Sequence, residues 1–157
     1  MNRYEEGLRM IEEKFGGGRD NNLSLATIAL EPNAEGKPRP CSREVDAYYE
    51  DGVFYVTTWG GSNKIRQIAQ NPEVSLSVNL GWFSANGIGE NLGWVLKPEN
   101  ADIRAKLRKA FAEWYDSANN EADENCVILA IRLTAGVINH NHGADFYHMD
   151  FVNKTAT

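Results

Sequence analysis

The spacing of apolar residues changes several times along the chain, and each change predicts an element of secondary structure. Near the N-terminus, Tyr4, Leu8, Ile11 and Phe15 are separated by four, three and four residues, which places them on one stripe of a helix. Most later apolar stretches are short and rich in β-branched or aromatic residues, which favours strands. The predicted strands cover residues 23–31, 40–49, 53–58, 74–80, 83–96, 126–134 and 145–152.

Turn-forming residues separate these predicted strands. Residues 32–38 contain two prolines with Asn33 and Gly36, and Gly52 supplies the positive φ that a tight turn needs. The chain from 23 to 58 therefore predicts three antiparallel strands in succession. In the long strand 83–96 the glycines mark bulges or close approaches of the backbone; these are Gly87, Gly89 and Gly93.

Two further helices are predicted between the strands. One covers 63–70 and ends before Pro72, because proline disfavours the helical conformation of the residue that precedes it. The other is predicted to be the longest; it begins at Pro98 and repeats apolar residues at helical spacing as far as Trp114, before a polar loop over 116–125. Many short strands with few helices predict a mainly β (α+β) domain, an antiparallel barrel with a few peripheral helices.

Composition narrows the function classes. The 157 residues, 42% of them hydrophobic, suit one globular domain over 1–157. A net charge of -6 without a local basic patch gives no reason to expect a nucleic-acid partner. Cys41 and Cys126 lack the spacing of a zinc site or disulfide framework, which favours a reducing cytoplasm. The N-terminus lacks a signal-peptide stretch and the apolar run 126–131 is short, so we expect no membrane segment.

An arginine in the second predicted strand is the first candidate for chemistry. Side chains alternate along a strand, so Cys41, Arg43, Val45 and Ala47 share one face. A charge in line with apolar neighbours indicates an anion ligand. The alternative is an arginine at the strand end whose methylenes carry its charge out to water.

The loop after the third strand is the second candidate. Gly60 and Gly61 let backbone N–H groups approach an anion, and Ser62 is placed to cap a helix whose N-terminal end attracts negative charge. Lys64 lies in the first helical turn, where a positive charge is unfavourable unless an anion neutralises it. A solvated lysine after an ordinary capped turn is the alternative. Together with Arg43, Lys64 favours a phosphate site.

At this point the sequence resembles the pyridoxamine 5'-phosphate oxidase-like FMN-binding proteins, especially their short general stress protein branch. The segments that carry the resemblance are GKPRPCSREV (36–45), VFYVTT (53–58), GSNKIRQI (61–68) and NPEVSL (71–76). The resemblance is dense over 23–80 and thin afterwards. It implies a split β-barrel with FMN as the cofactor, in a homodimer that holds the flavin in a cleft between its subunits.

The resemblance also implies cofactor-binding residues. Arg43 and Lys64 would hold the FMN phosphate with help from Ser62, which agrees with the reading of the residues themselves. The remaining candidates are the backbone of Glu44 and Val45 along the isoalloxazine ring, Thr57 or Thr58 against the flavin, and Asn63 beside the lysine. The partner subunit is expected to contribute Ser84 or Asn86.

Two departures from the family pattern bear on function. Asn63 stands where the true oxidase usually carries a second cation. This implies that the phosphate is bound more weakly, or that its contacts are distributed differently among the residues. The chain also lacks the basic C-terminal segment with which the true oxidase holds its vitamin substrate. We therefore expect no oxidation of pyridoxamine phosphate.

The leading hypothesis is an FMN-dependent oxidoreductase with a small-molecule redox partner, in which the flavin carries the electrons and no side chain acts as a nucleophile. One alternative is a flavin-binding stress or carrier protein without turnover. Another is the same barrel binding a deazaflavin or haem.

A metal site is suggested by His140, His142 and His148 with Asp145. Asn139, Asn141 and Gly143 fit a turn equally well, and we expect no metal.

Overall fold

The computed structural model describes residues 1–78 and 82–157. Its strands form one antiparallel sheet in the order β3-β2-β1-β4-β5-β6-β7-β8, and pairing of β3 with β6 closes the first six into a barrel. The strands are β1 (Asn21–Ile28), β2 (Pro40–Glu50), β3 (Val53–Trp59), β4 (Glu73–Ser77), β5 (Phe83–Trp94), β6 (Cys126–His140), β7 (Asp145–Asp150) and β8 (Thr155–Ala156). The predicted mainly β (α+β) antiparallel barrel is confirmed.

Within the described residues, four α-helices lie around the barrel: α1 (Arg3–Phe15), α2 (Asn63–Gln70), α3 (Ala101–Ala110) and α4 (Tyr115–Ala118). A capping box begins α1, because the Asn2 side chain accepts a hydrogen bond from the Glu5 backbone N–H at 2.9 Å and the Glu5 carboxylate accepts one from the Asn2 N–H at 3.0 Å. The predicted apolar stripe of α1 packs onto the barrel, with Ile11 and Phe15 buried.

The buried residues form two clusters on opposite sides of the sheet. Along β3, Phe54 and Val56 point into the barrel, whereas Tyr55 lies against a second cluster beneath α3 and α4. Leu107 and Phe111 fill that second cluster and are almost inaccessible to solvent. Burial of a large apolar side chain contributes about 1.5–3 kcal/mol, so the two clusters fix the helices to the sheet.

The barrel is split where β2 leaves β3. Strand β2 pairs with β1 from Pro40 to Ala47, but it pairs with β3 only from Tyr48 to Glu50. Beyond that point β3 pairs with β6 alone as far as Trp59. One backbone edge of residues 40–47 therefore has no strand partner within the described part of the chain.

Glycines in β5 allow close approaches, as predicted. The pairing register between β5 and β6 shifts at Gly87, and a Cβ there would lie 2.8 Å from the Arg132 carbonyl oxygen. A Cβ on Gly89 would lie 2.9 Å from Cγ2 of Ile68, a buried residue of α2. The absence of a side chain at Gly89 therefore sets how closely α2 packs onto the barrel. A second register shift flanks Gly93, whose φ is +84°.

Several predicted boundaries were wrong. Helix α3 ends at Ala110, where Phe111 leaves helical geometry and stacks on Trp114 with ring centroids 4.7 Å apart, and α4 occupies the start of the predicted loop. With 13 residues against 10, α1 is longer than α3.

Strand boundaries also differ. Strand β6 continues to His140 because β5 and β7 pair with its second half, where the apolar alternation weakens. Strand β4 ends at Ser77, and the predicted strand residues Asn79 and Leu80 lie outside the described residues.

Candidate functional site

Arg43 lies on the face of β2 that points into the barrel, and its guanidinium is held by neutral acceptors. Nη1 donates to Oγ1 of Thr27 at 2.7 Å and to the carbonyl oxygens of Leu25 and Cys41 at 3.2 and 3.3 Å. Nη2 donates to Oε1 of Gln67 at 2.8 Å. These contacts fix the orientation of the guanidinium without neutralising its charge.

Thr27 and Gln67 form a buried support for Arg43. Their exposed fractions are 1% and 8%, and Oγ1 of Thr27 lies 2.5 Å from Oε1 of Gln67. The amide oxygen of Gln67 therefore accepts from both Thr27 and Arg43. Because Thr27 belongs to β1 and Gln67 to α2, this contact also joins the helix to the barrel wall.

Lys64 brings a second cation to the same place. Its Nζ donates to Oγ1 of Thr58 at 2.9 Å, at the end of β3. Burial, and secondarily the charge of Arg43, lower the pKa of Lys64. Burial also lowers the pKa of Arg43. Two partly buried positive charges therefore lie close enough to repel each other.

Neither cation has a carboxylate partner among the described residues. The eight ion pairs of this part of the chain all involve other side chains. Partly buried charges that repel each other are costly, and an anion bound between Arg43 and Lys64 would remove that cost. The electrostatics of this cluster therefore favour an anionic ligand.

Ser62 adds an unused polar group at the N-terminal end of α2. It occupies the predicted N-cap position, but its side chain makes no capping hydrogen bond. Its Oγ is buried and has no hydrogen-bond partner in the described structure. A buried hydroxyl without a partner costs about 1–3 kcal/mol, and a bound anion would provide the missing acceptor.

The two threonines of β3 face opposite sides of the sheet. Thr58 shares the barrel-facing side with Val56 and contacts Lys64. Thr57 shares the opposite side with Tyr55, towards the cluster that contains Tyr115. The structure thus brings Thr58 into the cation cluster and leaves Thr57 outside it.

The other sequence candidates are spread around the cluster. Asn63 is exposed at the start of α2, Glu44 is exposed on the outer face of β2, and Val45 is buried in the barrel. Ser84 and Asn86 are exposed on the outer face of β5. Neither is a hydrogen-bond partner of Arg43 or Lys64 within this chain.

Sequence reasoning missed Thr27 and Gln67. Gln67 lies three residues after Lys64, a spacing that puts two side chains on neighbouring positions of one helix face, so the signal was present. Thr27 is opposite Cys41 in the strand pairing, and only the register of β1 against β2 reveals this.

The three histidines lie on β6, on β7 and in the turn between these strands. His140 packs edge-on to Tyr147 with ring centroids 6.0 Å apart, and Asp145 accepts a hydrogen bond from Arg3 at 2.7 Å. His142 lies in a turn with a φ of +53°. Over residues 1–78 and 82–157, no group of three or more His, Cys, Asp or Glu side chains is arranged to hold a metal ion.

A separate cavity of about 660 Å³ lies at the other end of β1. Its walls include Asn21, Phe15, Trp82 and His140. It is distinct from the cation cluster, which contacts β1 at Leu25 and Thr27.

None of the helices in the described residues is long and apolar enough to span a membrane.

Six strands form a barrel through the pairing of β3 with β6, and this barrel is split where β2 leaves β3. The fold is therefore a split β-barrel. No protein-family model matches the sequence, and no curated protein matches it. Solved structures do match the fold. General stress protein 26 from Bacillus anthracis str. Sterne is 20% identical, with a TM-score of 0.63 over 90% of this chain and 97% of that one.

Two other solved structures share the fold. A haem-binding protein from Mycobacterium smegmatis is 16% identical, with a TM-score of 0.66 over 98% of this chain and 60% of its own length. An FAD-binding protein from Mesorhizobium loti is 18% identical, with a TM-score of 0.53 over 83% of this chain and 89% of that one. At these identities the likeness establishes the split-barrel fold that the resemblance implied.

Proposed function

We propose that this chain is a flavoprotein of the pyridoxamine 5'-phosphate oxidase-like family that binds FMN and transfers electrons to or from a small molecule. The observation that carries the proposal is the cation pair, Arg43 and Lys64, which neutral groups hold and no carboxylate of the described residues neutralises. A phosphate monoester carries a charge of about -1.5 to -2 at neutral pH, which matches two cations.

The polar groups of the cluster fit a phosphate. An ammonium group has three donors, and Thr58 occupies one of those of Lys64, so others remain for phosphate oxygens. The hydroxyl of Ser62 is buried at the N-terminal end of α2 and has no hydrogen-bond partner among residues 1–78 and 82–157. The helix dipole also favours negative charge at this end. Asn63 adds no charge, so the proposed phosphate binding depends on the two cations Arg43 and Lys64.

The split in the barrel supports a position for the isoalloxazine ring of FMN along the free edge of β2. The backbone edge of residues 40–47, which includes Glu44 and Val45, has no strand partner on the β3 side within the described residues. Free backbone N–H and C=O groups are suited to hydrogen bonds with the polar edge of an isoalloxazine ring. A bound flavin would supply the electron transfer, while these residues bind and orient it.

A homodimer is part of the proposal. Glu44, Ser24, Ser77 and Ser84 face one another on four neighbouring strands, and the two outermost of them are exposed on the outer face of the sheet. This row of three serines and one glutamate runs up to the free edge of β2. A second copy seated on this face would bring its own Ser84 or Asn86 towards the ring, as expected from the resemblance.

The first experiment is to reconstitute the protein with FMN, remove free cofactor by desalting, and record the visible spectrum and the mass of the released cofactor. We expect retained FMN in a dimer by sedimentation. A folded protein that retains no FMN but takes up haem or a deazaflavin would overturn the FMN assignment. The haem-binding protein of the same fold makes haem the competitor to include.

Turnover is tested separately. The FMN-loaded protein is mixed anaerobically with a reduced nicotinamide, and bleaching of the flavin is followed before a small quinone is added. Reduction and reoxidation faster than those of free FMN are expected for an oxidoreductase. Tight binding without faster reduction by such donors would instead favour a flavin carrier.

A further inference from the structure

The side chain that orients Arg43 is an uncharged amide. We infer that Gln67 is a positioning residue whose neutrality keeps the charge of Arg43 free for phosphate, and that it thereby sets the preference for FMN over phosphate-free flavin. The inference rests on the proposed function and adds a determinant of specificity to it.

The geometry ties the guanidinium at two points. Arg43 Nη2 donates to Gln67 Oε1 at 2.8 Å, and Nη1 donates to Thr27 Oγ1 at 2.7 Å. Thr27 and Gln67 are themselves in contact at 2.5 Å, which closes a ring of three side chains. Both supports are buried, so Arg43 is held before any ligand arrives. A pre-oriented cation loses less entropy on binding.

The charge of the support matters as much as its shape. A glutamate has nearly the same size as glutamine and would accept the same two hydrogen bonds. It would also form an ion pair with Arg43, and the guanidinium would then offer phosphate little net attraction. Every acceptor that contacts Arg43 in the described residues is a hydroxyl, an amide or a backbone carbonyl.

Gln67→Glu therefore separates orientation from charge. If Gln67 serves only to support the fold, this variant should bind FMN normally, because both hydrogen bonds accepted by Oε1 survive and only the long contact from Nε2 to Sγ of Cys41 at 3.9 Å is lost. If neutrality is the functional property, FMN affinity falls about tenfold to a hundredfold, while riboflavin affinity and the Tm of the cofactor-free protein are maintained.

Gln70→Glu is the matched control. It adds the same charge to the same helix, but Gln70 is exposed and bonds only to the Leu30 carbonyl oxygen among the described residues. Gln67→Met is the second variant; it removes the acceptor without adding charge. It should weaken FMN binding less than Gln67→Glu, and it keeps the inference testable if the glutamate variant does not fold.

The measurements are the dissociation constants of FMN and riboflavin for each variant, together with the shift in Tm caused by inorganic phosphate. Equal FMN affinity for Gln67→Glu and Gln70→Glu would overturn the inference while leaving the proposed FMN site intact. If wild-type protein binds FMN no more tightly than riboflavin and phosphate causes no shift in Tm, the proposed phosphate site itself fails, and the inference with it.

Discussion

Nζ of Lys64 lies 2.9 Å from Oγ1 of Thr58, so the first turn of α2 is joined to the end of β3. The hydroxyl of Thr58 keeps the ammonium group at the cation cluster. Its neighbour Thr57 has the same chemistry but faces the opposite side of the sheet. The alternation of side chains along one strand thus separates two threonines that the sequence left equivalent.

Thr58→Val is expected to weaken FMN binding. The substitution keeps the shape of the side chain but removes the acceptor for Lys64, at a cost of about 0.5–1.5 kcal/mol in binding free energy. Thr57→Val is the matched control and should leave FMN affinity unchanged. Titration of the flavin fluorescence measures both, and a larger loss for Thr57→Val would contradict the orientation of β3.

Arg43→Ala and Lys64→Ala should each weaken FMN binding by about 1.5–3 kcal/mol, the loss typical of a charge-assisted hydrogen bond. Riboflavin, which lacks the phosphate, should bind both variants as it binds the wild type. Arg66→Ala is the control, because Arg66 is an exposed cation of the same helix. Unchanged FMN affinity in both cation variants would refute the phosphate assignment.

The ratio of FMN affinity to riboflavin affinity should fall as pH rises. Burial and the charge of Arg43 hold the pKa of Lys64 below its ordinary value of 10.5. A bound phosphate favours the charged form and raises that pKa again. Between the free-protein pKa and the bound pKa, binding takes up a proton, so rising pH weakens it. Dissociation constants measured from pH 7 upwards test this.

The same shift affects folding of the cofactor-free protein. The pKa of Lys64 is lower in the folded state than its ordinary value of 10.5. The contribution of this group to the free energy of unfolding is therefore fully present above pH 10.5 and is lost as pH falls through the folded-state pKa. Lys64→Ala removes both effects, so its affinity ratio should depend less on pH. If the ratio of FMN affinity to riboflavin affinity depends on pH as strongly in Lys64→Ala as in the wild type, a group other than Lys64 causes the pH dependence.

Ser62→Ala should behave unlike an ordinary N-cap substitution. Loss of a capping serine usually costs about 1 kcal/mol of stability, but Ser62 makes no capping hydrogen bond here. We expect the free energy of unfolding of the cofactor-free protein to be unchanged or higher. FMN affinity should fall by about 0.5–1.5 kcal/mol. A loss of stability equal to the loss of affinity would indicate a structural role only.

Gly89→Ala should disturb the site through the packing of α2. The added methyl group would lie 2.9 Å from Cγ2 of Ile68, and overpacking of this kind costs about 1–3 kcal/mol of stability. FMN affinity should fall as well, because α2 carries Lys64 and Gln67. Adding Ile68→Ala removes all three carbons that the methyl group would meet, Cγ2, Cδ1 and Cγ1. The double variant should therefore be more stable than the sum of the two single effects predicts.

Local patterns in the sequence predict most of the helices and strands. Residue spacing places α1, α2 and the early strands because apolar periodicity is a local property, and the hairpin at Gly52 follows from turn chemistry. Local patterns also singled out Arg43 and Lys64 as charges in unfavourable positions. The resemblance then predicted the split barrel, which the structure confirms.

The contacts between residues of different elements could not be predicted in the same way. Thr27 and Gln67 are 40 residues apart in sequence, and their contact depends on how α2 packs against β1. Alternation puts Thr57 and Thr58 on opposite faces of β3 but does not state which face points inward, so only the structure shows that Thr58 is the one that meets Lys64. The contacts that orient the two cations, and the lack of a carboxylate partner for either among the described residues, are consequences of packing between elements.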